Sequence, residues 1–174
     1  DFHMHPELGL EETRTAGIVA QKLRSWGIEV TEHVGVTGVV GVINGDLGPG
    51  RSIGLRCDMD ALPITECSSQ SWKSTVKGKM HACGHDGHLA VGLGVAQWIK
   101  DHADQLCGKI NLVFQPAEEG TRGARPMAES GILDDVDFIV CTHIGSSVPL
   151  HQVAVCTHGY LATTKLDIYF EGVP

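Results

Sequence analysis

The chain has 174 residues, about the length of one domain, and is 42% hydrophobic and 20% charged, as folded globular chains are. A formal net charge of -8 argues against nucleic acid as a partner, because phosphate binding needs clustered Lys and Arg. No apolar run approaches the ~20 residues of a membrane helix, so no membrane partner is expected either.

The chain opens at Asp1 without an initiator Met, and "TTKLDIYFEGVP" at its end reads as a strand beginning a new unit. The expectation is a fragment cut at both ends. Six cysteines without a CxxC pair do not form a disulfide framework. Cys57, Cys141 and Cys156 lie in or beside apolar runs and read as buried, reduced thiols of a cytoplasmic protein.

Along the chain, "EETRTAGIVAQKLRSWGI" places Ala16, Val19, Ala20, Leu23 and Trp26 at helical spacing, with acidic residues at its start and Gly27 at its end. His5, Pro6 and Glu7 before it are expected to cap it or to line a rim. Three β-rich runs follow, "IEVTEHV", "GVVGVI" and "RSIGLRC", separated by glycine turns. "GHLAVGLGVAQWIKDHA" returns to helical spacing. "KINLVFQP" is a strand stopped by proline, and "TRGARPMAESG" is a short helix. "DFIVCTHI" and "HQVAVCTH" are strands again. The alternation predicts an α/β fold with a mixed central sheet flanked by helices. Ligands of such sheets gather beyond the strand ends.

Four polar clusters follow the strand-like runs: "DMDALP", "HACGHD", "PAEEG" and "THIG". Cys83 and His85 stand two residues apart, so an extended backbone would point both side chains one way. Thiolate and imidazole both suit zinc and neighbouring metals. Alone, the pair more commonly means a buried thiol beside a loop imidazole. Glu118 and Glu119 shift the balance, because they follow a buried strand directly. Adjacent side chains diverge, so one carboxylate can hold a metal while the other faces a reacting water. His143 ends another strand. Asp58 and Asp60 end a third, and Asp60 is expected to orient a ligand imidazole rather than to bind metal itself. His81 and His88 are left as supporting residues.

The ordered set "HPELGLEETRTA", "DMDALPI", "MHACGHDGH", "FQPAEEGTRGA" and "HIG" resembles the amidohydrolase branch of the aminoacylase and carboxypeptidase-type metallopeptidases. The resemblance spans nearly the whole chain. Its tail is most similar to the p-aminobenzoyl-glutamate hydrolases; hippurate and indole-acetyl-amino-acid hydrolases share the core motifs.

The resemblance implies a zinc-peptidase-like catalytic domain, truncated, over 1–160, and the first strand of an inserted α+β lid domain over 161–174. It implies two divalent metal ions, Zn or Mn, with Cys83, His85, Glu119 and His143 as ligands and Glu118 as the general base. A further ligand histidine lies towards the C-terminus in the family, beyond this chain. The implied reaction is hydrolysis of the amide of an N-acyl or N-aroyl amino acid, by a parent protein that is a homodimer or heteromer through its lid; this fragment alone is expected to be inactive. Arg122 and Arg125 are candidates for the substrate carboxylates. Two competing expectations are an inactive metal-binding protein, which has no need of Glu118, and a thiol-redox role for Cys83, which lacks a visible resolving partner.

Overall fold

The computed structural model describes residues 1–120, 122–145, 148–155 and 168–172. Two compact units divide at Ile144 and Gly145. The first carries helices α1 (Thr13–Ser25), α2 (His85–Asp101) and α3 (Ala124–Glu129). It also carries strands β1 (Glu29–Val34), β2 (Gly38–Asn44), β3 (Ser52–Asp58), β4 (Lys109–Gln115) and β5 (Phe138–Cys141). The second has no helix or strand among its described residues.

The strands form one mixed sheet in the order β1-β2-β4-β3-β5. β1 and β2 pair antiparallel, as do β2 and β4, whereas β3 runs parallel to both β4 and β5. The carboxyl ends of β3, β4 and β5 therefore share one edge.

Helices cover both faces. On one, Val19, Ala20 and Leu23 of α1 and Leu89, Ala96 and Ile99 of α2 bury against Val39, Ile43, Leu112 and Phe114 of the sheet. On the other, Met127 of α3 closes over Val40 and Val113. Alternation along β4 explains the split, since Leu112 and Phe114 face one way and Val113 the other. α2 comes close enough to β3 that a Cβ on Gly92 would overlap the Cys57 sulfur, so glycine there sets the helix–sheet distance.

Several sequence expectations change. α1 begins after Glu12, not with it. Glu7 caps the helix, one of the two roles expected for it, accepting from the amides of Arg14 (3.0 Å) and Thr15 (2.7 Å). The short helix is confined to Ala124–Glu129, with Pro126 in its first turn, where no amide donor is needed. Cys57 is buried as expected, but Cys141 is exposed because β5 is an edge strand with no cover among the described residues; Cys156 lies outside them. The 151–155 part of "HQVAVCTH" is not a strand. No strand pairs with it among the described residues, and Val153 and Val155 are fully open to solvent. The expected lid strand falls partly on 161–167, outside the described residues, and 168–172 are exposed without strand pairing.

Candidate metal centre

The polar clusters converge where the three parallel strands end. Beyond β3 the chain presents Asp60, beyond β4 Glu118 and Glu119, and beyond β5 His143. α2 starts against the same edge with His85. Cys83 and His85 do not share an extended segment as their spacing suggested. Gly84 between them has φ 85°, a left-handed turn suited to glycine, and the helix begins at His85. The turn still brings both side chains to the edge.

His85 is wholly buried and oriented from behind. Its Nδ1 donates to the Asp60 carbonyl at 2.8 Å and lies 3.3 Å from Asp60 Oδ1. The proton is thereby fixed on Nδ1, and the Nε2 lone pair points forward. It faces Glu119 Oε1 at 3.9 Å and Glu118 Oε2 at 4.0 Å. His85 Nε2 and Glu119 Oε1 are both buried without a hydrogen-bond partner among the described residues. Buried polar atoms are normally paired, and two unpaired acceptors facing each other fit a cation between them.

His143 repeats the pattern. Its Nδ1 donates to the Ile144 carbonyl at 2.7 Å, and Nε2 lies 3.4 Å from the Cys83 sulfur. Donor atoms of Cys83, His85 and His143 lie within 4.8 Å of one another, and so do those of His85, Glu118 and Glu119. His85 joins the two groups. The donors are thiol, imidazole and carboxylate, the set that zinc and neighbouring metals accept.

Asp58, His85 and His88 form a third such group, in which the His88 Nε2 lone pair and the Asp58 charge already have partners, while His88 Nδ1 and Asp58 Oδ1 make no hydrogen bond among the described residues. His88 Nε2 accepts the Ile144 amide at 3.0 Å, and its Nδ1 lies 3.7 Å from Asp58. Asp58 is ion-paired with Arg56, which also donates to Gln115 at 2.7 Å. His88 thus holds the backbone beyond His143 and packs its ring 4.5 Å from that imidazole. His81 is buried beside the site, and burial pushes its pKa down to about 4, so it stays neutral.

Asp60 supports two partners at once. Besides His85 it accepts the Glu119 amide through Oδ2 at 2.9 Å. Burial raises its pKa, but the hydrogen bonds from His85 and the Glu119 and Glu118 amides outweigh that, so the carboxyl titrates below its ordinary range. Asp60→Asn is expected to lower metal affinity about 10–100-fold, because it keeps the backbone carbonyl on the His85 proton but removes the carboxylate charge 3.3 Å away. Competition against a chelating dye measures this directly.

Burial pushes the Cys83 thiol up to about 12, and a hydrogen bond to Glu119 and the charges of Glu119, Glu118 and Asp58 add to it. The thiol is therefore protonated at neutral pH, and a metal bound to Cys83 would displace that proton. Affinity should rise with pH by about tenfold per unit for this proton, and Cys83→Ser should reduce the slope by about one. Metal titrations at several pH values read the slope.

Of the two arginines expected to meet substrate, Arg125 is exposed and bonded to Glu129 at 2.7 Å, and Arg122 is exposed. Sequence reasoning gave His3 no role, yet it sits between Asp86 (2.9 Å) and Glu66 (3.2 Å). It ties the N-terminal segment to the start of α2. The contact joins residues 83 positions apart, and no local pattern marks it.

A mixed sheet that gathers such donors at the carboxyl ends of its parallel strands fits the α/β proteins that hold a metal at a strand-end site. The chain belongs to peptidase family M20/M25/M40, whose model matches residues 54–174. It is 51% identical to thermostable carboxypeptidase 2 of Saccharolobus solfataricus over 98% of this chain and 45% of that protein. It is 38% identical to a p-aminobenzoyl-glutamate hydrolase polypeptide of Escherichia coli over 99% of this chain and 50% of that one. The Bacillus subtilis YXEP protein, a dinuclear metal-binding peptidase of the M20 family, superposes with a TM-score of 0.82 at 38% identity, covering 86% of this chain and 42% of that one. The chain spans about half the length of the curated relatives it matches.

Proposed function

We propose that the parent protein is a metal-dependent amidohydrolase that cleaves the amide bond of N-acyl or N-aroyl amino acids, with p-aminobenzoyl-glutamate as one candidate. The observation that carries this reading is the contrast between two adjacent carboxylates. Glu119 turns a buried oxygen towards the His85 lone pair, whereas the Glu118 side chain is 41% exposed at the rim beside it. One glutamate is placed to bind and its neighbour to move a proton.

In this reading Cys83, His85, Glu119 and His143 hold two divalent ions, Zn or Mn, and a further ligand comes from the rest of the parent chain. Metal bound there supplies an electrophile and a water of lowered pKa. Glu118 takes a proton from the attacking water and delivers it to the leaving nitrogen. Asp60 fixes His85 in the ligand tautomer, and His88 fixes the segment after His143. Residues 161–174 open a lid domain through which the parent dimerises, or joins a different polypeptide, in the cytoplasm.

The higher identity to a carboxypeptidase than to p-aminobenzoyl-glutamate hydrolase supports a second reading, removal of a C-terminal residue from a peptide. Both reactions break an amide beside a free carboxylate. Assays of the full-length protein on p-aminobenzoyl-glutamate, hippurate, indole-acetyl-aspartate, acetyl-amino acids and short peptides separate them. Preference for the acylated amino acids supports the first reading, and preference for peptides the second.

A further inference from the structure

The residue that precedes α1, Glu12, is wholly buried; its carbonyl accepts the Ala16 amide at 2.9 Å, but its side chain makes no capping bond to that helix. Its carboxylate reaches instead across the end of the sheet. Oε1 accepts the Ala117 amide at 2.9 Å, and Oε2 accepts the Thr37 hydroxyl at 2.6 Å. Thr37 lies in the turn between β1 and β2, and Ala117 stands directly before Glu118 and Glu119.

Ala117 is itself unusual. It is fully buried with φ 54°, in the left-handed region that a residue with a Cβ occupies at a cost. Its carbonyl accepts the Gly123 amide at 3.0 Å, closing the turn that carries both glutamates. The turn is therefore held at Ala117 from two sides, the Glu12 bond reaching in from the start of α1, while Asp60 holds the same turn further on at the Glu119 amide. A buried carboxylate is an expensive way to fill space, and here burial does raise its pKa. Both of its oxygens are used, one on the buried Ala117 amide and the other on the partly buried Thr37 hydroxyl.

We infer that Glu12 is a positioning residue for the Glu118–Glu119 pair: through the Ala117 amide it sets the turn that aims one carboxylate at His85 and the other at the rim. The inference rests on the reading of the site given under Proposed function. Glu12 touches neither metal nor substrate, so it acts only through the backbone.

The test compares Glu12→Asp with Glu12→Gln in the full-length protein, following kcat and KM on the amide it cleaves, zinc affinity by chelator competition, and thermal stability. Aspartate is one methylene too short to serve Thr37 and Ala117 together, whereas glutamine keeps an acceptor for the Ala117 amide. Glu12→Asp should lower kcat about a hundredfold with KM little changed, as misplacement of reacting groups by about 1 Å does, and should weaken zinc binding. Glu12→Gln should stay near wild type in both. Wild-type kcat and zinc affinity in Glu12→Asp, with only the melting temperature lowered, would overturn the inference. So would a Glu12→Gln variant as damaged as Glu12→Asp.

Should Glu12→Asp not fold, Thr37→Val frees Oε2 and should move kcat and zinc affinity in the same direction by less; no change there overturns the inference too. If the wild-type protein cleaves no amide, the functional reading fails, and the zinc affinities still decide the role of Glu12.

Discussion

Glu118→Ala in the full-length protein is expected to lower turnover about 10²–10⁴-fold while metal content stays at the wild-type level, since a positioned acid–base group is worth that much. The expectation follows from placement. Glu118 Oε2 is 4.0 Å from His85 Nε2 on a side chain that opens to the rim. Its loss leaves Cys83, His85, Glu119 and His143 in place. Glu119→Ala should do the reverse, lowering metal content first, because it removes the buried oxygen that faces His85. Metal analysis alongside kcat separates the two variants. Ordinary turnover in Glu118→Ala would remove this residue from the proton-transfer role.

His85→Ala carries the second large effect. Among the described residues His85 belongs to every group of converging donors at the site, and it is fully buried. Its removal takes away the proposed ligand and the partner of Asp60 together. Metal affinity should fall by more than the ~100-fold assigned to a supporting residue. Stability should fall as well, by about 3 kcal/mol, the lower end for breaking a buried pair, because the Glu119 amide still serves Asp60. Thermal melts with and without zinc check both parts: wild type should gain stability from the metal, and His85→Ala should not.

Much of this arrangement is legible along the chain. The β-rich runs and helical spacings mark the sheet and both long helices, because burial of one face imposes a period on the residues. The strand-end clusters mark the site, because a parallel sheet delivers its carboxyl ends to one edge. What escapes is contact between distant segments. Glu12 reads as a helix-opening acid, yet its partner is 105 residues away. His88 reads as a supporting residue and Asp58 as either a ligand or a residue that orients one, but what each supports is not visible along the chain. Only the Ile144 amide and the Arg56 pair show that the His88 Nε2 lone pair and the Asp58 charge already have partners. "HQVAVCTH" has strand composition, but a strand also needs a neighbour to pair with, and composition cannot supply one. The reach of Arg125 is likewise invisible until Glu129, one helical turn on, is seen to hold it.

The cysteines refine how the metal site is probed. Cys67, Cys107 and Cys141 are exposed, so a bulk thiol count would be dominated by them. Peptide mapping of Cys83 alone, before and after chelation, reports the site.

The most direct measurement of the central claim is amide hydrolysis by the full-length protein after chelation and after restoring zinc or manganese, with bound metal counted in parallel. The account predicts that turnover disappears with the metal and returns as two ions per chain are taken up. Cleavage that persists in the stripped protein, or no cleavage of any amide with either metal, would contradict it.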